Sequence, residues 1–272
     1  QTLRRMDGQL ALIFVLTFVI HLIGTLAYSV RIAGTRTGRI AVSLSLFNIL
    51  VLVSRTSNSF QAPLLAKRVE ENLRGAVETG MESDFRWLLL SATLATFAGA
   101  LLTPTFQRLF ARAVEVFGRY RSVPHLFLRG LSPAGLLHVR NSLRIPAKEN
   151  LTELRSAPRI PTRVVVLNIV AMAIWTVGVF SALYAGYLNP EYRVTASQLS
   201  SVINGVATIL MFVVIDPYLS VLTDEAAEGK ISDGYFRRSV VWLTGSRLVG
   251  TVLAQALLIP GALGIAFVAE RA

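Results

Sequence analysis

The chain has no cysteine, few charged residues and only three histidines. The absence of cysteine excludes disulfides and thiolate metal sites. Because 53% of the residues are hydrophobic and only 16% are charged, the composition is unlike that of a soluble domain. The sequence has no HExxH motif, and Gly229-Lys230 lacks the glycine spacing of a phosphate-binding loop. We therefore expect no ATP hydrolysis and no metal or other cofactor.

Most of the sequence consists of long apolar blocks separated by basic connectors. A bilayer core about 30 Å thick needs about 20 apolar residues in a helix, and six blocks meet this length or come close to it. They cover approximately residues 9–32, 39–65, 87–104, 163–188, 198–222 and 239–268. The sequence therefore predicts an all-α, polytopic membrane protein with about six transmembrane helices, in which residues 1–272 form a single transmembrane domain.

The formal net charge of +11 lies mostly in the connectors next to the apolar spans. Such charge is typical of cytoplasmic retention and of contact with anionic membrane lipids, so nucleic acid is not expected as a partner. The richest connector follows the third span and contains nine Lys and Arg residues from Arg119 to Arg163. The positive-inside rule therefore predicts that residues 119–162 are cytoplasmic and that both termini lie outside.

Residues 105–162 form an amphipathic and basic connector. Apolar residues, including Phe106, Phe110 and Phe117, share one helical face, while Arg108 and Arg112 lie on another. This pattern fits a helix lying in the membrane interface, or the end of the third span packed on its neighbours. Prolines cut the rest of the connector into pieces too short to span a membrane.

A weak internal repeat relates residues 41–90 to residues 196–245. Asn48 parallels Asn204, Ala62-Pro63 parallels Asp216-Pro217, and Trp87 parallels Trp242 when small gaps are allowed. The repeat would make two inverted three-helix halves, as in many transporters that bind substrate between their halves. Chance similarity between apolar segments is the alternative.

Arg55 lies near the centre of the second apolar block. At about 1.5 Å per residue it is roughly 24 Å along a helix from Arg39 and about 18 Å from Lys67. A guanidinium so far from both ends cannot reach the membrane surface, and we expect it to face a polar interior.

Other polar residues recur at helical spacing in the first, second, fifth and sixth spans. As candidate substrate-binding residues we take Arg55, Arg247, Asn48, Asn58, Gln61, Tyr28, Gln255 and Arg31, and as a coupling or structural pair Asp216 and His21. Structural alternatives exist for several of them: Arg31 can extend to the membrane surface, Asp216 can pair with Arg247, and His21 can bond two helices. Because cations outnumber acids among them, the expected guest is an anion, and a guanidinium suits phosphate oxygens well.

Residues 17–68 resemble the N-terminal half of the Amj family, the alternate lipid II flippases of bacteria. The most specific stretches are AYSVRIAGTRTGRIA, residues 27–41, and SLFNILVLVSRTSN, residues 45–58. The resemblance implies a multi-pass protein of the bacterial cytoplasmic membrane that serves peptidoglycan and cell-wall biogenesis and cell shape. Its substrate would be lipid II, the undecaprenyl-diphosphate-linked precursor, and it would be a transporter rather than an enzyme.

Together these arguments predict a flippase that works by alternating access around a cationic cavity. Arg55 and Arg247 would bind the diphosphate, the amides would take sugar or peptide groups, and the polyprenyl tail would stay in lipid. Two other classes remain: an intramembrane polyprenyl-diphosphate enzyme, for which no convincing catalytic cluster is visible, and an anion or small-solute transporter.

Overall fold

The structure, a computed structural model, describes residues 7–75, 80–144 and 160–272, and all of their regular elements are helical. The helices are α1 Gly8–Thr37, α2 Ile40–Leu73, α3 Met81–Tyr120, α4 Val123–Gly130, α5 Pro133–Ser142, α6 Thr162–Leu188, α7 Arg193–Leu210, α8 Asp216–Ala227 and α9 Asp233–Ala269. The part of the predicted connector between residues 145 and 159 lies outside the described residues.

Local signals explain where several of these helices begin and end. The Asp7 carboxylate accepts a hydrogen bond from the Leu10 amide and caps α1, and the Ser232 hydroxyl caps α9 by accepting one from the Tyr235 amide. α1 ends at Thr37 and is followed by Gly38, which has a φ of 65°. Glycine adopts this left-handed conformation without a steric penalty, so the chain can turn directly into α2.

Six segments are long and apolar enough to cross a membrane: α1, α2, α3, α6, Pro190–Ala227 and α9. The prediction of an all-α, polytopic membrane protein with six spans is therefore confirmed. The fifth span is not one regular helix, because the five-residue π-helical segment Met211–Ile215 separates α7 from α8. It ends just before Pro217, which has no amide hydrogen to give to a regular helix.

The amphipathic half of the basic connector continues α3. This helix has 40 residues, about 60 Å at 1.5 Å per residue, and so extends well past a bilayer core. Phe110 and Val114 are buried against Val30, Ala33 and Leu46 of α1 and α2. Of the two arrangements that the sequence allowed, the structure has the end of the third span packed on its neighbours.

The six spans form two groups of three with the same internal packing. In the first group α1 packs extensively against both α2 and α3, and in the second α6 packs against both α7 and α9. Glycines allow the closest approaches: a side chain at Gly99 of α3 would collide with Thr25, and one at Gly250 of α9 would collide with Met172. We call these groups the first and second halves.

At one end of the bundle all three helices of the first half share a core with the second half. Where α1 begins, one apolar cluster contains residues of both halves, among them Ile13, Leu65, Phe85, Phe180, Tyr184 and Leu258. The rings of Phe85 and Phe180 lie 5.9 Å apart across the boundary between the halves. At the other end there are two separate clusters, one between α1, α2 and α3 and one between α1 and the second half. We call these the joined end and the divided end.

Candidate functional site

A polar cluster lies inside the bundle where α1 meets the second half. We call it the Arg247 cluster; its members are His21, Gly24, Tyr28, Asn168, Met172 and Arg247. Gly24 is about 24 Å from the start of α1 and about 20 Å from its end at 1.5 Å per residue, so the cluster is close to mid-depth.

Gly24 makes room for the Arg247 side chain. A Cβ atom at this position would collide with Nη2 of Arg247 and would lie 3.3 Å from its Cζ. Because glycine has no side chain, the guanidinium can lie directly against the backbone of α1. The small residue in the first span and the cation in the sixth are therefore parts of one site.

The Arg247 guanidinium has few partners for its five N–H donors. Nη1 donates to the sulfur of Met172 at 3.4 Å, which is a weak acceptor, and Tyr28 lies close by. Its buried Nε has no partner, and within the described parts of the chain no carboxylate forms an ion pair with it. An unpaired charge at the bilayer centre costs about 2.5–3.5 kcal/mol on insertion scales, so the site suits an anionic guest.

His21 and Tyr28 flank Arg247 on the same face of α1. Both side chains are buried, and Nδ1 of His21 has no hydrogen-bond partner among the described residues. Helical spacing in the sequence placed His21 and Tyr28 on one stripe of the first span and Arg247 on a stripe of the sixth, and the structure brings the two stripes together. His21 is near enough to Arg247 to interact with it electrostatically, and its Nδ1 bonds no neighbouring helix in the part of the chain that the structure describes.

Asn168 was missed by the sequence analysis. Its amide donates to the Leu243 carbonyl at 3.0 Å and to the Ser246 hydroxyl at 2.7 Å, and it lies beside Tyr28. It therefore joins α6 to α9 one residue before Arg247. The available signal was a lone amide in an otherwise apolar stretch of the fourth span, without the polar stripe that marked the other spans.

The second span divides into a packed face and an open face. Gln61 is on the packed face, where its amide donates to the Thr17 hydroxyl of α1. Arg55, Asn48 and Asn58 are exposed on the outer side of α2. Arg55 is two residues, about 200° around the helix, from buried Ser57, which explains why it points away from α1.

Arg55 and Arg247 are thus at similar depth but not in one packed cavity. The hydrogen bonds from Ser43 to Val30 and from Gln61 to Thr17 set the register of α2 on α1, and this register brings Arg55 level with about residues 18–23. Gly24, which contacts Arg247, lies just beyond that range. The sequence expected a single interior site, whereas the structure has Arg247 inside the bundle and Arg55 on its surface.

The remaining candidates are closer to the ends of the bundle. Arg31 donates to the Ser220 hydroxyl at 3.3 Å and interacts electrostatically with Asp216. Among the described residues Asp216 forms no ion pair with Arg247. Gln255 donates to the Arg86 carbonyl at 3.0 Å, and this contact joins α9 to α3. These residues connect the halves, and Arg31 and Asp216 also interact electrostatically with Tyr28 of the Arg247 cluster.

A second charged cluster, which the sequence analysis did not single out, fastens the joined end. Arg68 is 1% exposed and donates through Nε to Asp84 at 2.7 Å and through Nη1 to Asp7 at 2.8 Å. Partial burial alone would raise the pKa of the Asp7 carboxyl, but hydrogen bonds from the Leu10 amide and Arg68 lower that pKa below 3.8. These ion pairs tie α1, α2 and α3 together.

Comparison with known proteins identifies the family. Residues 16–269 match the family model described as "Amj: Alternate to MurJ". The chain is 40% identical over 263 residues to the protein named "Lipid II flippase Amj" from Bacillus subtilis (strain 168), a match that covers 96% of this chain and 97% of that relative. No solved structure matches the chain. The chain, a multi-pass membrane protein by its six spans, belongs to the Amj family.

Proposed function

We propose that this chain is a lipid II flippase of the bacterial cytoplasmic membrane. It would move the undecaprenyl-diphosphate-linked peptidoglycan precursor from the cytoplasmic to the outer leaflet without changing it chemically. Support comes from membership of the Amj family and from the name of a relative aligned over nearly its whole length.

The observation that carries the mechanism is the partly buried guanidinium of Arg247, whose buried Nε has no partner. The diphosphate of the substrate has several negatively charged oxygens, and guanidinium N–H donors match such oxygens in geometry and charge. A phosphate beside Arg247 would satisfy its buried Nε and offset the cost of an unpaired charge at this depth. Tyr28 and His21 lie close enough to Arg247 to add polar contacts from α1.

Arg55 has an earlier role in this mechanism. Its exposed position on α2 suits a first contact with the diphosphate while the polyprenyl tail is still in the surrounding lipid. Asn48 and Asn58 on the same open side would meet the sugar or peptide groups, and Gln255 and Arg31 would meet them near the two ends of the path. Transfer from Arg55 to Arg247 would take the head group past α1 at constant depth.

The two ends of the bundle support alternating access between two inverted halves. At the joined end the halves share a core, and Arg193 of α7 reaches Glu70 of α2 at 3.8 Å. At the divided end only α1 of the first half shares a core with the second half, while α2 and α3 join α1 in a separate cluster, which suits a cavity that opens there. The positive-inside rule makes the divided end cytoplasmic, so this conformation would be the one that receives substrate from inside. Loosening of the joined end would then release it outside.

Prolines in matching helices add to the argument for a repeat. Pro63 of α2 corresponds to Pro217 of the fifth span, and Pro104 of α3 corresponds to Pro260 of α9, at separations of 154 and 156 residues. Proline weakens the hydrogen-bond ladder of a helix and provides a place where it can bend. Equivalent bending points in both halves are what a rocking motion between repeats requires.

The first experiment is rescue of a bacterium depleted of its own lipid II flippases, at matched membrane expression. Growth is expected with the wild type and with Arg237→Ala, a control that removes an exposed arginine from the same helix as Arg247. Arg247→Ala is expected to abolish rescue and Arg55→Ala to weaken it. Rescue by Arg247→Ala would refute the proposed site but leave the flippase assignment.

Failure of well-expressed wild type would direct attention to the other two classes. Purified protein in proteoliposomes then separates them. Phosphate release from a labelled polyprenyl diphosphate would identify an enzyme, whereas anion currents or solute uptake without lipid specificity would identify a channel or small-solute transporter. Movement of intact, labelled lipid II between leaflets would support the proposed function.

A further inference from the structure

The short helices after α3 form a hairpin with a cavity beneath it. The cavity has a volume of about 600 Å³ and lies between α3 and the pair α4 and α5. Its walls include Leu109, Arg112, Val116, Leu126, Arg129 and His138. This volume is in the range of small-molecule sites, and the walls combine apolar side chains with cations.

The hairpin folds back toward the membrane-spanning part of the protein. The Thr105 hydroxyl donates to the Arg144 carbonyl at 3.1 Å and accepts from the Arg144 amide at 3.0 Å. Thr105 follows Pro104 by one residue, near the level at which about 20 residues of α3 have crossed a bilayer core. The end of α5 is therefore held close to where α3 leaves the membrane.

The charge of this region has one sign. Residues 116–144 include five arginines and no acidic residue, and all five arginines are exposed. The guanidinium of Arg129 lies 4.6 Å from the centre of the Tyr120 ring, which holds it beside the cavity. Arg112 is partly neutralised by Glu115 at 3.0 Å, so Arg129 is the stronger anion-binding group of the two.

Large apolar side chains are exposed among these cations. Leu131 is 73% exposed and Leu128 is 70% exposed, and Leu136 and Leu137 are each more than half exposed. Short helices that present both leucines and arginines are typical of segments lying in the membrane interface. Exposing the leucines of this surface to water is unfavourable. At an anionic bilayer the leucines can contact acyl chains while the arginines contact the negatively charged headgroups.

We propose that the α4–α5 hairpin binds the anionic phospholipid surface of the membrane, with a headgroup phosphate in the cavity beside Arg129 and the exposed leucines at the acyl boundary. The positive charge favours this occupant, and the attachment to α3 keeps the hairpin close to the bilayer at all times. The surface does not depend on lipid II and is separate from the Arg247 cluster. Its place at the divided end puts it near the proposed entrance for substrate.

Because the chain has no cysteine, a single introduced cysteine can be labelled specifically. We would attach an environment-sensitive fluorophore at Leu131→Cys and reconstitute the full chain in vesicles with brominated acyl chains. Quenching by bromine reports insertion of the probe and is followed as phosphatidylglycerol replaces phosphatidylcholine. Lys230→Cys is the control, since this exposed residue belongs to another connector on the same predicted side.

Quenching at Leu131 is expected to rise with phosphatidylglycerol while quenching at Lys230 stays low. Each arginine near an anionic surface changes the docking equilibrium about fivefold. Arg140 of α5 is another of the five exposed arginines, so Arg129→Gln with Arg140→Gln should weaken docking about 25-fold. Circular dichroism and thermal stability of the labelled variants show that they remain folded. Quenching no stronger at Leu131 than at Lys230, or equal in both lipids, would overturn the proposal. A water-exposed Leu131 probe that responds only to an added cytoplasmic protein would instead show a protein-binding surface.

Discussion

The Arg68 cluster permits a quantitative prediction about stability. Arg68 is 1% exposed and Asp84 is buried, so Arg68→Met leaves the Asp84 carboxylate in the interior without its cation. Removing one partner from a buried ion pair costs about 3–5 kcal/mol. Asp84→Asn should cost less, about 1–3 kcal/mol, because Arg68 keeps its bond to the half-exposed Asp7.

Arg86 provides a matched control for Arg68. It forms an ion pair with Glu82 at 2.8 Å, nearly the same distance, but both side chains are more than 40% exposed. Arg86→Met should therefore cost no more than about 1 kcal/mol. The comparison separates the effect of burial from the effect of removing any arginine from this end of the bundle.

The free energy of unfolding can be measured in mixed micelles from the fluorescence of the three tryptophans. We expect the double variant Arg68→Met with Asp84→Asn to lose at least 1 kcal/mol less than the sum of the single losses, because neither charge is then stranded. A loss below 1 kcal/mol for Arg68→Met, or strict additivity, would refute the reasoning.

Two further predictions concern the two clusters. Gly24→Ala should displace the Arg247 guanidinium and reduce rescue of flippase-depleted cells by tenfold or more at normal expression and thermal stability, since a misplacement of about 1 Å can cost about 100-fold; unchanged rescue would contradict the role of this contact. Because the pKa of Asp7 is lowered, its bond to Arg68 stabilises the fold above pH 3.8, and this contribution is lost as the pH falls through the lower, folded-state pKa. Thermal unfolding should show a smaller acid-induced loss for Asp7→Asn than for the wild type, and equal losses would disprove the contribution.

Several features followed from the sequence because they depend on local or bilayer physics. Apolar length determined the six spans, since a helix crossing hydrocarbon needs about 20 apolar residues wherever its neighbours lie. Helical spacing also grouped His21 and Tyr28 on one face, because positions three and four residues apart share a side of any helix. The family resemblance at residues 27–41 and 45–58 was likewise readable without coordinates.

Which faces meet was decided only by the tertiary structure. Helical spacing shows that Arg55 and Ser57 point in opposite directions, but not which of them faces α1. In a membrane both lipid and protein interior are apolar, so hydrophobicity does not mark the buried side as it does in water. Ser43 and Gln61 of α2 bond to α1, and Arg68 of α2 bonds to α3. These contacts place Arg55 on the outer side of α2.

The same reason explains the contacts between distant residues. Gly24 and Arg247 are more than 200 positions apart, and Arg68 meets Asp84 only because α2 and α3 return to the same end of the bundle. The sequence determined which residues are charged and how far along its helix, and therefore at what depth in the membrane, each of them lies. Only the arrangement of the helices determined that Arg247 is partly buried with few partners while Arg68 is buried and fully paired, because this depends on which neighbour each helix presents.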